Sequence, residues 1–146
     1  MHTSLQNYLA DRSFKEVEAS GSSQSGVTLH AYENGQFRLH VVNERKAETY
    51  IQVAPQGRPQ ERWFLAGVVA FLTRDDSATR RSGDYEHWLR VHHDSLARLF
   101  SPTAEGQQQR EQYTTWQHEF AAREQTRLAE AAAEHRANSK PWWRVW

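Results

Sequence analysis

The chain of 146 residues contains no cysteine, which excludes disulfide bonds and thiol chemistry and fits a reducing compartment. Its longest apolar run, residues 63–72, has ten residues, whereas a membrane-spanning helix needs about 20. Residues 1–9 lack the positive flank and the apolar stretch of a secretion signal. We therefore predict a cytoplasmic protein that has no membrane partner.

An excess of charge of either sign is also missing, because 18 basic and 18 acidic residues cancel to a formal net charge of zero. A neutral chain has no global field that draws it to nucleic acid or to anionic lipid, so nucleic acid is disfavoured as a partner. The sequence contains no Gly-x-Ser-x-Gly elbow, no phosphate-binding Gly-x-x-x-x-Gly-Lys segment and no His-Glu-x-x-His pair. We therefore expect no enzyme and no cofactor.

Histidine is the residue type that most suggests chemistry, with eight copies in the chain. Three of them, His87, His92 and His93, lie close together in the sequence. Metal ligands on one face of a helix need spacings of three or four residues, and these histidines are separated by five residues and by one. The spacing therefore predicts no metal site, and we expect His92 to pack, partly buried, in an apolar helix stripe.

Alternation of apolar and polar residues predicts an antiparallel sheet. Residues 27–32 and 37–42 alternate with a period of two on either side of a Glu-Asn-Gly turn, which is the pattern of a hairpin. A further strand is expected at residues 47–53. Residues 14–19 are expected to form an edge strand, followed by a Ser/Gly-rich loop at residues 20–26.

Helical patterns follow the sheet. Residues 59–72 are interpreted as a buried helix, with a fourth central strand as the alternative. Residues 85–100 carry apolar side chains at intervals of three and four, and Asp84 is expected to cap this helix. A last helix is predicted from about residue 103 to about residue 137.

A short amino-terminal helix is predicted because Leu5, Tyr8 and Leu9 fall on one helical face. Together these patterns predict an α+β fold, with an antiparallel sheet of three to four strands packed by helices, a long C-terminal helix and an aromatic tail. We expect one domain over residues 1–146, which is sheet-rich at 14–54, helical at 59–137 and a tail at 138–146.

The tail holds three of the six tryptophans of the chain, Trp142, Trp143 and Trp146. Large aromatic side chains at a chain end need a partner, so the tail either docks on its own domain or anchors another molecule. The sequence leaves both open. A homodimer formed through the C-terminal helix and tail is one version of the second.

A polar loop is predicted at residues 73–83, where arginines alternate with aspartates. Such mixed charge can orient a partner during association, although a simply solvated loop has the same composition. We therefore predict one set of partner-binding residues from the loop and the tail: Arg74, Arg80, Arg81, Trp142, Trp143 and Trp146.

A different site is suggested on the sheet, where His30, Tyr32, His40 and Tyr50 are expected to share one face. This face is interpreted as a second face covered by helices, as an exposed surface that recognises protein or single-stranded RNA, or as the wall of a pocket. The pocket interpretation gives the alternative function, a small-molecule-binding domain or an enzyme.

The segment GVTLHAYENGQFRLHVV at residues 26–42, followed by a further strand and the apolar segment 64–72, resembles the strand-turn-strand core of small immunity proteins of bacterial polymorphic toxin systems. The resemblance covers about a third of the chain, and the C-terminal helix has no counterpart in it. It implies a compact α+β protein that inhibits a cognate toxin by docking on it, with no catalytic residue. The predicted function is therefore a non-enzymatic protein-binding module whose partner is another protein, such as a toxin domain.

Overall fold

The computed structural model of the protein describes residues 3–22, 26–44, 49–80 and 84–138. It confirms the predicted α+β class, because four helices accompany one antiparallel sheet. The elements in chain order are α1 (Thr3–Asp11), β1 (Lys15–Ser22), β2 (Val27–Glu33), β3 (Arg38–Glu44), β4 (Tyr50–Ala54), β5 (Trp63–Phe64), α2 (Leu65–Thr73), a short 3₁₀ helix (Asp76–Arg80), α3 (Tyr85–Leu99) and α4 (Ala104–Asn138).

The sheet is an antiparallel meander in which each strand pairs with the next, in the order β1-β2-β3-β4-β5. β1 lies at one edge, as predicted. The predicted hairpin is confirmed as β2 and β3, and its turn is stabilised by Asn34, whose side-chain oxygen accepts from the backbone N–H groups of Gln36 at 2.9 Å and of Phe37 at 3.1 Å. Gly35 has a φ of 87°, a conformation that glycine adopts without strain.

The segment interpreted as a helix over residues 59–72 is helical only from Leu65. Trp63 and Phe64 instead form β5, a fifth strand that pairs with β4. Tertiary packing explains the extended backbone, because the Trp63 ring lies with its centroid 4.3 Å from that of Tyr113 and 5.7 Å from that of Phe100. The prediction of a helix beginning near residue 59 was therefore wrong at its amino-terminal end.

Successive side chains of a strand point to opposite sides of the sheet, which gives the sheet two faces. Side chains on the inner face meet the helices through ring contacts such as Trp63 with Tyr113 and Phe37 with Phe100. The ring contact of Tyr50 with Phe64 on the outer face stays within the sheet. The inner face comprises Tyr32, Leu39, Val41, Ile51, Val53 and Trp63. The outer face comprises Glu18, Ala31, Arg38, His40, Tyr50, Gln52 and Phe64.

The core lies between the inner face and the helices. The predicted helix face of Leu5, Tyr8 and Leu9 is buried, and the Tyr8 hydroxyl hydrogen-bonds Nδ1 of His93 at 2.7 Å. His92 is partly buried, as expected, whereas the neighbouring His93 is the histidine of α3 that lies in the core. The helical repeat of α3 was predicted correctly, but its buried stripe is shifted by one residue at this turn.

The predicted cap of α3 is confirmed, whereas the predicted loop before α3 is only partly correct. Asp84 caps α3 as predicted, because its side chain accepts from the backbone N–H of His87 at 3.2 Å. The predicted solvent loop contains the 3₁₀ helix Asp76–Arg80, in which Ala78 is fully buried. Among the described residues, no helix combines the length and the apolar character needed to cross a membrane.

The chain forms two compact units, Met1–Tyr113 and Thr114–Trp146. In the second unit the described residues, 114–138, are helical, and none of them is fully buried. The rings of Trp116 and Phe120 stack there at 5.1 Å. Tyr113, Trp116 and Phe120 recur at helical spacing along α4, but only Tyr113 is buried.

Candidate functional site

The four side chains predicted to share one sheet face do not share it. His30 and Tyr32 belong to the inner side, whereas His40 and Tyr50 belong to the outer face. The connection between β2 and β3 explains the error, because its four residues, 34–37, place the even-numbered positions of β2 opposite the odd-numbered positions of β3. The pocket predicted from these four residues therefore lacks the geometry that it requires.

Arg38 dominates the outer face. Its guanidinium donates to the Glu18 carboxylate at 2.6 Å and to the Glu33 carboxylate at 3.1 Å. Since Arg38 lies on β3 and Glu18 on β1, the Arg38 side chain crosses the intervening strand β2 at Ala31. The alanine methyl leaves room for this crossing, and both Ala31 and Arg38 are buried.

The network around Arg38 extends beyond the sheet. Glu33 also accepts from the backbone N–H of Gly57 at 3.2 Å, in the connection between β4 and β5. One arginine thus ties together three strands and, through Glu33, a loop. Charge-assisted hydrogen bonds of this kind are the strong ones, and a network whose members are satisfied holds its side chains in one arrangement.

His40 lies beside Arg38, with 1% of its surface exposed. Its Nε2 accepts from Nε of Arg38 at 2.9 Å. Arginine keeps its protons in proteins, so Nε2 must be the acceptor and the proton of the neutral ring lies on Nδ1. This Nδ1–H donor is buried, and within the part of the chain that the structure describes it has no hydrogen-bond partner.

The charge state of His40 follows from its surroundings. Burial, and then the positive charges of Arg38 and Arg62, lower its pKa to about 4, while Glu18 and Glu33 oppose the shift. A general base needs a pKa near the working pH. A buried ring held neutral by two arginines suits hydrogen-bond donation better than proton transfer.

Arg62 and Gln52 lie next to His40. Gln52 is opposite His40 on β4, and Phe64 is opposite Gln52 on β5. Arg62 precedes Phe64 by two positions, so strand alternation places it on the same side. Its charge also opposes the rise in the pKa of Tyr50, an outer-face residue. Arg62 is exposed, and no ion pair links it to another of the described residues.

An aromatic pair adjoins these polar groups. The ring centroids of Tyr50 and Phe64 are 5.6 Å apart, and Phe64 is 57% exposed. Burial raises the pKa of Tyr50, with further contributions from the charge of Glu44 and from the hydrogen bond to it. Val27, opposite Glu44 at the end of the hairpin, is also exposed. The outer face therefore presents apolar surface beside a set of hydrogen-bond donors.

The predicted partner-binding residues fall elsewhere. Arg74 is exposed at the carboxyl end of α2, where it adopts a left-handed conformation with φ of 55° and its backbone N–H bonds the carbonyl of Ala70. Four of the other predicted positions lie outside the described residues: Arg81, Trp142, Trp143 and Trp146. For Arg80 the backbone is described but the side chain is not. Binding by this set stays a prediction.

Sequence reasoning found His40 and Tyr50 but missed Arg38, Arg62 and Phe64. One signal was available, since Arg38 interrupts an apolar strand directly after a turn whose other side ends in Glu33. No group of three or more histidine, aspartate or glutamate side chains is placed to hold a metal ion in the described ranges. Comparison of the chain with protein-family models, with curated proteins and with solved structures finds no match.

Proposed function

We propose that the protein is a non-enzymatic protein-binding module that docks on its partner through the outer face of the sheet. The observation that carries this proposal is Phe64, a large aromatic side chain that is 57% exposed beside Tyr50 and Arg62. Aromatic and arginine side chains supply much of the binding energy of protein interfaces.

The rigidity of the surface supports the same proposal. The Arg38 network links β1, β2, β3 and the loop at Gly57, so this part of the outer face is held in one arrangement before a partner arrives. A preorganised surface binds more tightly because little conformational entropy is lost on association. The resemblance to immunity proteins suggests the partner, a toxin domain that the protein inhibits by docking on it in the bacterial cytoplasm.

The experiment compares two aspartate substitutions at equally exposed apolar residues. Phe64→Asp places a charge on the outer face, where residue 64 is 57% exposed, and Val91→Asp places one on α3, where residue 91 is 59% exposed. Tagged wild-type protein and both variants are purified from the native host, and the bound proteins are identified by mass spectrometry. Both variants should fold, which circular dichroism checks.

We expect the wild type and Val91→Asp to retain one stoichiometric partner and Phe64→Asp to lose it, with affinity reduced about tenfold or more, the effect of losing a hot-spot side chain. Retention of the partner by Phe64→Asp with unchanged affinity contradicts docking through the outer face. Purification of the wild type alone, together with turnover of a small molecule, contradicts the binding module altogether.

A further inference from the structure

Three side chains with unused hydrogen-bond donors lie next to one another on the outer face. His40 and Gln52 are opposite each other on β3 and β4, and Arg62 reaches the same area from the start of β5. Within the described residues, Nδ1 of His40 has no acceptor. Arg62 forms no ion pair there, and the Gln52 side chain forms no hydrogen bond. A buried donor without a partner destabilises a protein, and an acceptor that binds there removes this penalty.

The nearby carboxylates do not supply this acceptor. Glu18 and Glu33 are both bound to Arg38, and Glu33 accepts from Gly57 as well. Glu44 is hydrogen-bonded to Tyr50. Arg62 itself forms no ion pair with the described residues, so its guanidinium keeps N–H donors that an incoming anion can accept.

A carboxylate matches the three donors in shape and in charge. Its two oxygens can accept the parallel N–H groups of an arginine, and the remaining lone pairs can accept from an imidazole N–H or from an amide. The partly buried ring of Tyr50 and the exposed ring of Phe64 lie beside the donors and suit the apolar part of a polypeptide.

We propose that Arg62, Gln52 and the Nδ1–H of His40 form a receptor for a carboxylate of the partner protein, provided by an acidic side chain or by the chain terminus. This inference rests on the proposed docking through the outer face and adds the chemistry that the partner must present there. The Nδ1 atom is covered in the free protein. We expect the carboxylate to enter when the exposed side chains of Arg62 and Phe64 change rotamer, which surface side chains do within nanoseconds.

The first experiment uses acetate as the probe. Uniformly ¹⁵N-labelled protein is titrated with sodium acetate near pH 7, with sodium chloride at equal ionic strength as the control, and the histidine ring and arginine side-chain resonances are followed by NMR. The ring shifts of His40 should identify the Nδ1–H tautomer. Acetate should then shift the His40 Nδ1–H and Arg62 Nε–H signals saturably, whereas chloride should not. Equal responses to acetate and chloride overturn the proposal.

Two arginine variants make the test specific. Arg62→Gln should weaken acetate binding about tenfold, the factor expected for one lost charge-assisted hydrogen bond. Arg58→Gln is the matched control, because Arg58 is an exposed arginine of the same loop that already pairs with Glu61 at 3.7 Å. Arg58→Gln should bind acetate like the wild type, and an equal loss in both variants shows non-specific attraction and rejects the site.

Peptides then distinguish the two sources of the carboxylate. An acetylated peptide with an internal glutamate and an amidated end tests the side chain, and an otherwise identical glutamine peptide with a free carboxyl end tests the terminus. If one peptide binds more tightly than the other and Arg62→Gln abolishes this binding, the receptor is supported and its carboxylate source is identified. If both peptides bind equally weakly, the receptor is contradicted. If Phe64→Asp abolishes partner binding while Arg62→Gln does not, the docking surface stands and the carboxylate receptor fails. If acetate binds but Phe64→Asp leaves the partner bound, the receptor is present and the docking proposal fails.

Discussion

The inner and outer faces of the sheet are both buried at their centres, but by different means. On the inner face Leu39, Val41, Ile51 and Val53 are aliphatic and almost inaccessible, and helices supply their neighbours. On the outer face the buried positions include alanine, arginine and histidine. Burial on that side depends on a long side chain laid across small ones, as Arg38 is laid across Ala31.

The difference explains why the two faces suit different tasks. Aliphatic packing stabilises the inner face roughly in proportion to the apolar area removed from water, and this interaction does not require a particular orientation of the side chains. The arrangement of the outer face is directional, because the position of Arg38 is fixed by hydrogen bonds to Glu18, Glu33 and His40. A face of this kind can remain accessible at its rim, at Phe64 and Arg62, while its centre stays ordered.

Removing an inner-face side chain should give the largest loss of stability. Leu39 is fully buried at the centre of the sheet, so Leu39→Ala removes apolar contacts and leaves a cavity. We expect the free energy of unfolding in urea to fall by about 3 kcal/mol, within the range known for such substitutions. A loss below about 1 kcal/mol, the size expected for a partly exposed site, contradicts the division between the faces.

Removing the centre of the outer-face network should have a smaller but distinct effect. Arg38→Ala leaves Glu33 and His40 without their main partner, but Glu18 has 47% of its side chain exposed and can be hydrated. We therefore expect a loss of about 2 kcal/mol, less than the 3 to 5 kcal/mol of a fully buried pair.

The comparison of Arg38→Ala with Arg38→Met separates charge from packing. Methionine can cover Ala31 but cannot hydrogen-bond the carboxylates. If Arg38→Met is nearly as stable as the wild type, the packing of the side chain over Ala31 matters more for stability than the ion pairs of Arg38. Arg58→Ala, at an exposed pair, is the control and should change the free energy of unfolding by less than about 0.5 kcal/mol.

The elements that sequence reasoning identified best are those with local signals. The hairpin had alternation and an Asn-Gly turn, and α3 had its repeat and the Asp84 cap, so each was specified by residues close in the chain. The start of α2 was misplaced because Trp63 is held extended by Tyr113, which lies 50 positions further along the chain. No local pattern carries that information.

The candidate site was only half predictable for a related reason. Assignment of His40 and Tyr50 to one face requires the register, and an error of one residue in the turn exchanges the faces of a whole strand. The partnership of Arg38 with Glu18 spans 20 positions and skips a strand, so alternation within a strand cannot reveal it. The burial of His93 was missed because the apolar repeat of α3 pointed to the adjacent His92, and a repeat of 3.6 leaves an uncertainty of one residue.

A mild acid titration should sharpen the comparison of the two sides of the sheet, because one buried histidine, His40, lies on the outer face and another, His93, lies on α3 in the core that the inner face covers. The pKa of His40 on the outer face is lowered to about 4, and that of His93 in the core is also lowered, by burial and then by the charge of Arg12, with Asp94 opposing. A pKa that is lower in the folded state than the usual 6.5 means that the unfolded chain binds more protons below that pH. The stability contributed by each neutral ring is therefore present above pH 6.5 and is lost as the pH falls towards the folded pKa.

For His40 alone we expect a loss of roughly 1.5 kcal/mol in the free energy of unfolding between pH 6.5 and pH 5, a window above the titration of most carboxyls. His40→Gln keeps an oxygen that can accept from Arg38 but cannot be protonated, so its stability should depend less steeply on pH, as urea unfolding at each pH will show. His93→Gln is the matched variant in the core, where the hydroxyl of Tyr8 faces the histidine. If His40→Gln leaves the pH dependence of the free energy of unfolding unchanged and His93→Gln removes it, the acid sensitivity lies entirely in the core. That result contradicts the neutral, arginine-bound state of His40.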